Sequence, residues 1–268
     1  MKKRRVVSGG VVAAAVFLLF FVGMFSTPLS LTAYGAEDAG NKAQDFGRKV
    51  YESRCAICHS VKGDGNGVIG IVDKGAVGNK MWAVYPRDFT VGVYKFRSTG
   101  TGCLPMQSDI ENIVKNGVAK AGMPSHKDVS AADVKAVVNY LKTFSSRWKE
   151  EEPCKAISAK KPKSVGSAES VKMGEEVYTK MKCWECHGKE GKGDGPKSNE
   201  IKDDWGKPIL PFDFTTGQLK RGSTPENVYM TFTTGLDGTG MPSYEDSLNE
   251  EQRWNLVSYT LKLMNKVK

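Results

Sequence analysis

The sequence predicts an all-α protein of two tandem helical domains, and three observations predict it. Residues 55–59 read CAICH and residues 183–187 read CWECH, one five-residue unit placed twice, 128 positions apart. Further blocks recur in register after each unit, the signature of an internal duplication. Each half then closes on a run with apolar residues at helical spacing, SAADVKAVVNYLKTF and NEEQRWNLVSYTLKL.

Taken in order, residues 1–36 stand apart. MKKRR is a positive start, VVAAAVFLLFFVGMF is an apolar run, and Ala33, Gly35 and Ala36 offer small residues for cleavage. This is the layout of a secretory signal peptide. The alternative is an uncleaved membrane anchor in residues 9–29, which reach spanning length if Pro28 is tolerated. On either reading the remainder is exported, to a periplasm or an equivalent compartment. Domain 1 is expected over residues 37–149, a linker over 150–169 and domain 2 over 170–268.

Each domain opens on a helix that runs into its Cys-x-x-Cys-His unit, as GEEVYTKMK does before Cys183. Gly/Asp-rich loops follow, KGDGNG and GKGDGP. PRDFTVGVYKFRST (86–99) then matches PFDFTTGQLKRGST (211–224), and NGVAKAGMPSH (116–126) matches TGLDGTGMPSY (234–244). Ser130 with Asp133, and Asn249 with Gln252, read as capping pairs at the start of the closing helices. Phe46, Tyr51, Tyr140 and Trp148 in one half, and Tyr178, Trp254 and Tyr259 in the other, are expected to pack first helix on last. The linker EEEPCKAISAKKPKSVGSAES, charged and rich in Ser, Pro and Lys, is expected to be solvated.

The offset between matching blocks falls from 125 at Asp-Phe-Thr to 118 at Met-Pro, so domain 1 carries seven extra residues between Thr99 and Ser108. They include Cys103. Cys154, just beyond the first closing helix, also has no counterpart. In an oxidising compartment the two are disulfide candidates, clamping the insertion to the linker, with a free-thiol role as the alternative.

The net charge of +9 is uneven: domain 1 has 17 basic against 11 acidic residues, and domain 2 has 14 against 15. A nucleic-acid partner would want a denser basic patch, and export argues against one. A basic face that meets an acidic protein partner fits better.

Cys55, Cys58 and His59, and again Cys183, Cys186 and His187, point to covalent haem. On a helical turn residues i, i+3 and i+4 share a face. Two thiols so placed bond the vinyl groups at one edge of a haem while the histidine reaches the iron, the c-type attachment pattern. A zinc site would need four ligands brought together, and the two pairs sit in separate repeats. A thioredoxin-like pair would want a βαβ surround. Two covalently attached haem c groups follow, with His59 and His187 as iron ligands.

Only three histidines exist, so both haems cannot be bis-histidine ligated within one chain. The repeat supplies Met123 and Met241, each in GMPS, as the sixth ligands. A thioether favours ferrous iron and raises the potential. The other methionines read as packing or surface. His126 is matched by Tyr244 in the second half and reads as a surface residue. Domains of about a hundred residues are marginal on protein core alone, so the haem-free chain is expected to be largely disordered.

With CxxCH at 55–59 and 183–187, GMPS at 122–125 and 240–243, and helices before and after, residues 40–268 resemble a tandem di-haem cytochrome c, two class I-type domains joined by a linker. The resemblance implies a small helical fold around each haem and a role as an electron shuttle. The block P-x-D-F-T-x-G-x-x-K is also similar to that of di-haem subunits accompanying periplasmic or membrane respiratory oxidoreductases.

Three functions compete. A carrier would move single electrons between respiratory redox partners, donor and acceptor unspecified, through exposed haem edges, with no open iron site and no catalytic residues. A di-haem peroxidase would need a displaceable ligand and an acid–base group beside it, and no spare histidine supplies one. A tightly bound electron-transfer subunit of a larger respiratory complex, membrane complexes included, differs from the first only in partner lifetime. Membrane contact is expected only if the leader stays attached.

Overall fold

The computed structural model describes the backbone of residues 31–268 except 72, 78, 79 and 119, and the side chains of residues 42–268 except 72–82 and 119. The leader expected over residues 1–36 lies outside the described residues up to position 30. Among the described residues no helix is long and apolar enough to cross a membrane. Both repeats fall in one compact unit, residues 39–268.

In the first repeat α1 (Leu31–Arg54) leads into the short α2 (Ala56–His59), followed by β1 (Asp73–Val77), β2 (Lys80–Val84), α3 (Gln107–Asn116), α4 (Ala131–Lys142) and the short α5 (Arg147–Glu150). The second repeat has α6 (Ala168–Lys180), α7 (Trp184–His187), a 3-10 turn at Phe214–Thr216, α8 (Pro225–Thr234) and α9 (Glu250–Leu263). The helical class expected from the sequence holds. One antiparallel hairpin is added, β1 on β2, paired from Asp73↔Val84 to Val77↔Lys80. Between the strands the sequence reads Gly-Asn, a hairpin signal in its own right.

Each repeat is built on a crossing of its first and last long helices, and a glycine makes each crossing close. A methyl group added at Gly47 would lie 2.3 Å from the Ala136 carbonyl oxygen, and one at Gly174 would lie 2.0 Å from that of Asn255. No side chain fits there, so the two backbones touch. Beside each crossing a tyrosine of the first helix meets one of the last, Tyr51–Tyr140 at 5.5 Å and Tyr178–Tyr259 at 5.2 Å. The other aromatic residues expected at this contact sit elsewhere. Phe46 is exposed, Trp148 packs edge-on to Tyr94, and Trp254 stacks on Tyr229 of α8.

Helix α4 buries Val134, Val137, Val138 and Leu141, one face at helical spacing. Helix α9 is buried all round from Arg253 to Leu261, since α6, α8 and the linker cover it. Two of its buried polar side chains are paired inside: the Ser170 hydroxyl donates to Asn255 Oδ1 at 2.7 Å, and the Gly166 N–H donates to Ser258 Oγ at 3.0 Å. The linker is therefore not simply solvated. Gly166 is tied to α9, Val165 and Ala159 pack on the second core, and the Ile157 N–H donates to the Ser98 carbonyl at 2.7 Å. As for the caps, Ser130 accepts from the Asp133 N–H, while Asn249 and Gln252 form the complete reciprocal box.

The seven-residue insertion of the first repeat lies against the second. Cys103 is joined to Cys154 by a disulfide. Thr101 donates its hydroxyl to the Thr234 carbonyl at 3.0 Å, and the Gly102 N–H donates to Asp237 at 2.9 Å. Arg97, wholly buried, donates to the same Thr234 carbonyl at 2.8 Å and pairs with Asp237 at 2.8 Å.

Candidate functional site

The two Cys-x-x-Cys-His units are single helical turns set off from the preceding helices. The His59 N–H bonds the Cys55 carbonyl at 2.9 Å and the His187 N–H bonds that of Cys183 at 2.9 Å, so each histidine lies on the face of its first cysteine. A tyrosine of the entering helix fixes the far end of the turn. The Tyr51 hydroxyl donates to the Ser60 carbonyl at 2.8 Å and that of Tyr178 to Gly188 at 2.6 Å.

The Pro-x-Asp-Phe-Thr block proves to be the support of the histidine. His59 Nδ1 lies 2.9 Å from the Arg87 carbonyl oxygen, and His187 Nδ1 lies 3.2 Å from that of Phe212. A carbonyl can only accept, so Nδ1 carries the proton and the lone pair of Nε2 is left free. The phenylalanine two residues on stacks on the imidazole, Phe89 at 4.5 Å and Phe214 at 4.6 Å between ring centres. The intervening aspartate closes the turn. Asp88 accepts from the Thr90 N–H at 2.8 Å, and Asp213 from that of Thr215 at 2.9 Å. Burial holds both imidazoles below their ordinary pKa, which keeps them neutral, the form that binds metal. Burial also pushes the Cys55 and Cys183 thiols up to about 11. Zinc would need thiolates, and among the described residues no group of three or more His, Cys, Asp or Glu side chains converges.

The methionine loops share one construction too. Helices α3 and α8 end at Gly117 and Gly235, both at positive φ (69° and 63°). The chain turns back so that the Val118 N–H bonds the Met123 carbonyl and the Leu236 N–H that of Met241, each at 3.0 Å. The serine of each GMPS ties the loop to its helix: Ser125 donates to the Lys115 carbonyl at 3.0 Å and Ser243 to that of Thr233 at 2.6 Å. The glycines before the methionines differ. Gly122 has a positive φ of 69°, whereas at Gly240 a methyl group would lie 2.8 Å from the Ile201 side chain. His126 is half-buried in the first loop, and Tyr244, in the matching place, packs against the second core.

In the second domain Cys183, Cys186, His187 and Met241 line one cavity of about 780 Å³, together with Tyr244 and Phe214. Two thiols, an imidazole with Nε2 free and a thioether around a mostly apolar space are a donor set that fits a haem. When bound, such a haem supplies a one-electron ferric/ferrous couple. The protein excludes water and holds the imidazole and both thiols. Sequence reasoning missed the carbonyls of Arg87 and Phe212, the stacking of Phe89 and Phe214, and the anchoring serines. Their recurrence in both halves was the available signal.

Residues 171–263 match the family described as Cytochrome c, and residues 42–141 match Cytochrome C oxidase, cbb3-type, subunit III. Among solved structures, a chain of the reducing HAO-like protein complex of Kuenenia stuttgartiensis is 37% identical, with a TM-score of 0.75, over 84% of this chain and 96% of that one. No curated protein matches the chain. Two such domains, with Cys-x-x-Cys pairs at 55/58 and 183/186 for two covalent haem c groups, place the chain in the cytochrome c family as a tandem di-haem cytochrome c, an electron carrier.

Proposed function

We propose that this cytochrome passes single electrons between respiratory redox proteins outside the cytoplasmic membrane, with His59/Met123 and His187/Met241 as the axial pairs. The observation that carries this reading is the matched construction of the two GMPS loops, with Met241 lining the same cavity as His187, Cys183 and Cys186. Two protein ligands per iron leave no coordination site for substrate. Electrons then enter and leave through the haem edges, and no catalytic residue is required.

The test is the visible and near-infrared spectrum of the holoprotein, oxidised and reduced, with and without carbon monoxide and peroxide. Two haems, each with a sulfur-to-iron charge-transfer band and neither binding carbon monoxide, are expected. Carbon monoxide binding or reaction with peroxide at either haem would reject the closed pair and favour a peroxidase. Loss of the charge-transfer band from one haem in each of Met123→Ala and Met241→Ala would assign the ligands.

A partner docked at the first haem is supported by an asymmetry between the repeats. Ile57, Val61, Val68, Ile69 and Ile71 surround the first motif and are exposed, Val68 by 93%. The equivalent positions of the second repeat are Glu185, Lys189, Pro196, Lys197 and Asn199, with Lys197 and Glu185 paired. An apolar patch on a basic domain fits a protein surface that is apolar at its centre and acidic at its rim. The similar chain belongs to a reducing HAO-like protein complex, and that supports a lasting complex over a freely diffusing carrier. Co-purification of a redox-protein partner from the native source, resisting high salt, is expected; a monomer throughout would reject it.

A further inference from the structure

The cavity around the second Cys-x-x-Cys-His motif is not made by the second domain alone. Arg87, Lys95 and Lys120 of the first domain line it as well, and across the whole cavity seven basic side chains face four carboxylates. Arg87 and Lys95 have no ion-pair partner among the described residues. The Arg87 guanidinium lies over the Trp205 ring, 5.3 Å from its centre. This contact fixes the plane of its fork of donors without using them up. Lys95 is held close to Arg87 and to Lys220, its counterpart in the repeat, and burial with these like charges pushes its ammonium down to about 7. Cations gathered in a largely apolar cavity are costly unless an anion joins them.

A haem brings such anions, since one edge of the macrocycle bears two propionate carboxylates. We propose that Arg87 and Lys95 of the first domain bind the propionates of the haem attached at Cys183 and Cys186. The second haem is then a cofactor with ligating groups from both domains, and its binding completes the domain interface. Arg87 serves both sites: its carbonyl accepts from His59 Nδ1 at 2.9 Å, and its side chain lines the cavity of the second haem. This needs only that a haem is attached at the second motif. It stands whichever residue is the sixth ligand, and whether the protein is a free carrier or a subunit.

The deciding experiment is a crystal structure of the unmodified holoprotein, with potentiometry of variants beside it. Propionate oxygens of the second haem are expected about 3 Å from the Arg87 guanidinium and the Lys95 ammonium. Propionates directed to solvent or held only by second-domain side chains would overturn the proposal. Arg87→Gln and Lys95→Gln each remove a cation that favours the reduced haem. In a spectroelectrochemical titration each is expected to lower one of the two one-electron steps by about tenfold in the oxidised/reduced ratio, ~59 mV, and the other by less than about threefold. Phe214→Leu, behind His187, identifies the step that belongs to the second haem. Equal movement of both steps, or of neither, would also overturn it. Arg87→Lys, which keeps the charge, is expected to restore most of the shift. If Arg87→Gln fails to assemble, Lys95→Gln and the crystal structure decide.

Discussion

Arg97 of the first domain and Asp237 of the second form an ion pair of 2.8 Å in which the arginine is wholly buried. Its remaining donors go to the carbonyls of Tyr94, Gly100 and Thr234, and its own carbonyl accepts from Arg221. Asp237 and Thr234 flank Leu236, whose N–H holds the Met241 carbonyl. The buried pair thus joins the first domain to the loop that presents the second methionine. Arg97→Met leaves Asp237 and three carbonyls short of a donor, at a cost of about 3–5 kcal/mol. Urea unfolding followed at each haem is expected to show one shared transition in the parent and two separate ones in the variant.

The disulfide should act on the same interface. Cys103 and Cys154 are 51 residues apart in sequence, and closing a loop of that length restricts the unfolded chain by up to ~4 kcal/mol. Replacing both with serine is expected to cost about 2–4 kcal/mol in urea unfolding under oxidising conditions. Under full reduction the difference between parent and variant should vanish.

Gly174→Ala forces a methyl group into the α6–α9 contact, where the Asn255 carbonyl oxygen would be only 2.0 Å away. The helices must part, with a loss of about 1–3 kcal/mol. Gly47→Ala should do the same to the first domain, at 2.3 Å from the Ala136 carbonyl. Thermal unfolding read at each haem separately is expected to place each loss in its own domain first.

Removing one haem should uncouple the halves. Cys183→Ser with Cys186→Ser is expected to lower the mass by one haem and halve the visible absorbance. A cavity of about 780 Å³ then loses its contents, and the second domain, marginal without it, should lose protection from amide hydrogen exchange. Retained protection in α9 would contradict a core completed by haem.

Much of the site was legible without coordinates. The two Cys-x-x-Cys-His units, the GMPS loops and the capping residues are local patterns, and one helical turn or one tight loop brings their members together. Recurrence is what singles out Met123 and Met241 as the proposed ligands over methionines such as Met264 and Met230, both buried in the second repeat. The support of each histidine was half legible. The recurring Asp-Phe-Thr block marked the place, but Arg87 acts on His59 through a main-chain carbonyl, and a carbonyl leaves no trace in residue identity. The hairpin was missed although Gly-Asn stands between its strands. Phe46 and Trp148 were misplaced because an aromatic side chain on a helix does not state which neighbour covers it.

By itself the sequence determined the duplication, the helical class, the c-type attachment chemistry and the pairing of the two unmatched cysteines as candidates. All of these depend on residues close in the chain or on comparison of one half with the other. Only the tertiary structure decided how the halves meet: Arg97 on Asp237, Lys95 beside Lys220, Arg87 beside the second haem's cavity. Contacts across more than a hundred residues are set by packing and by the burial of charge, and neither has a period or a spacing that can be read along the chain.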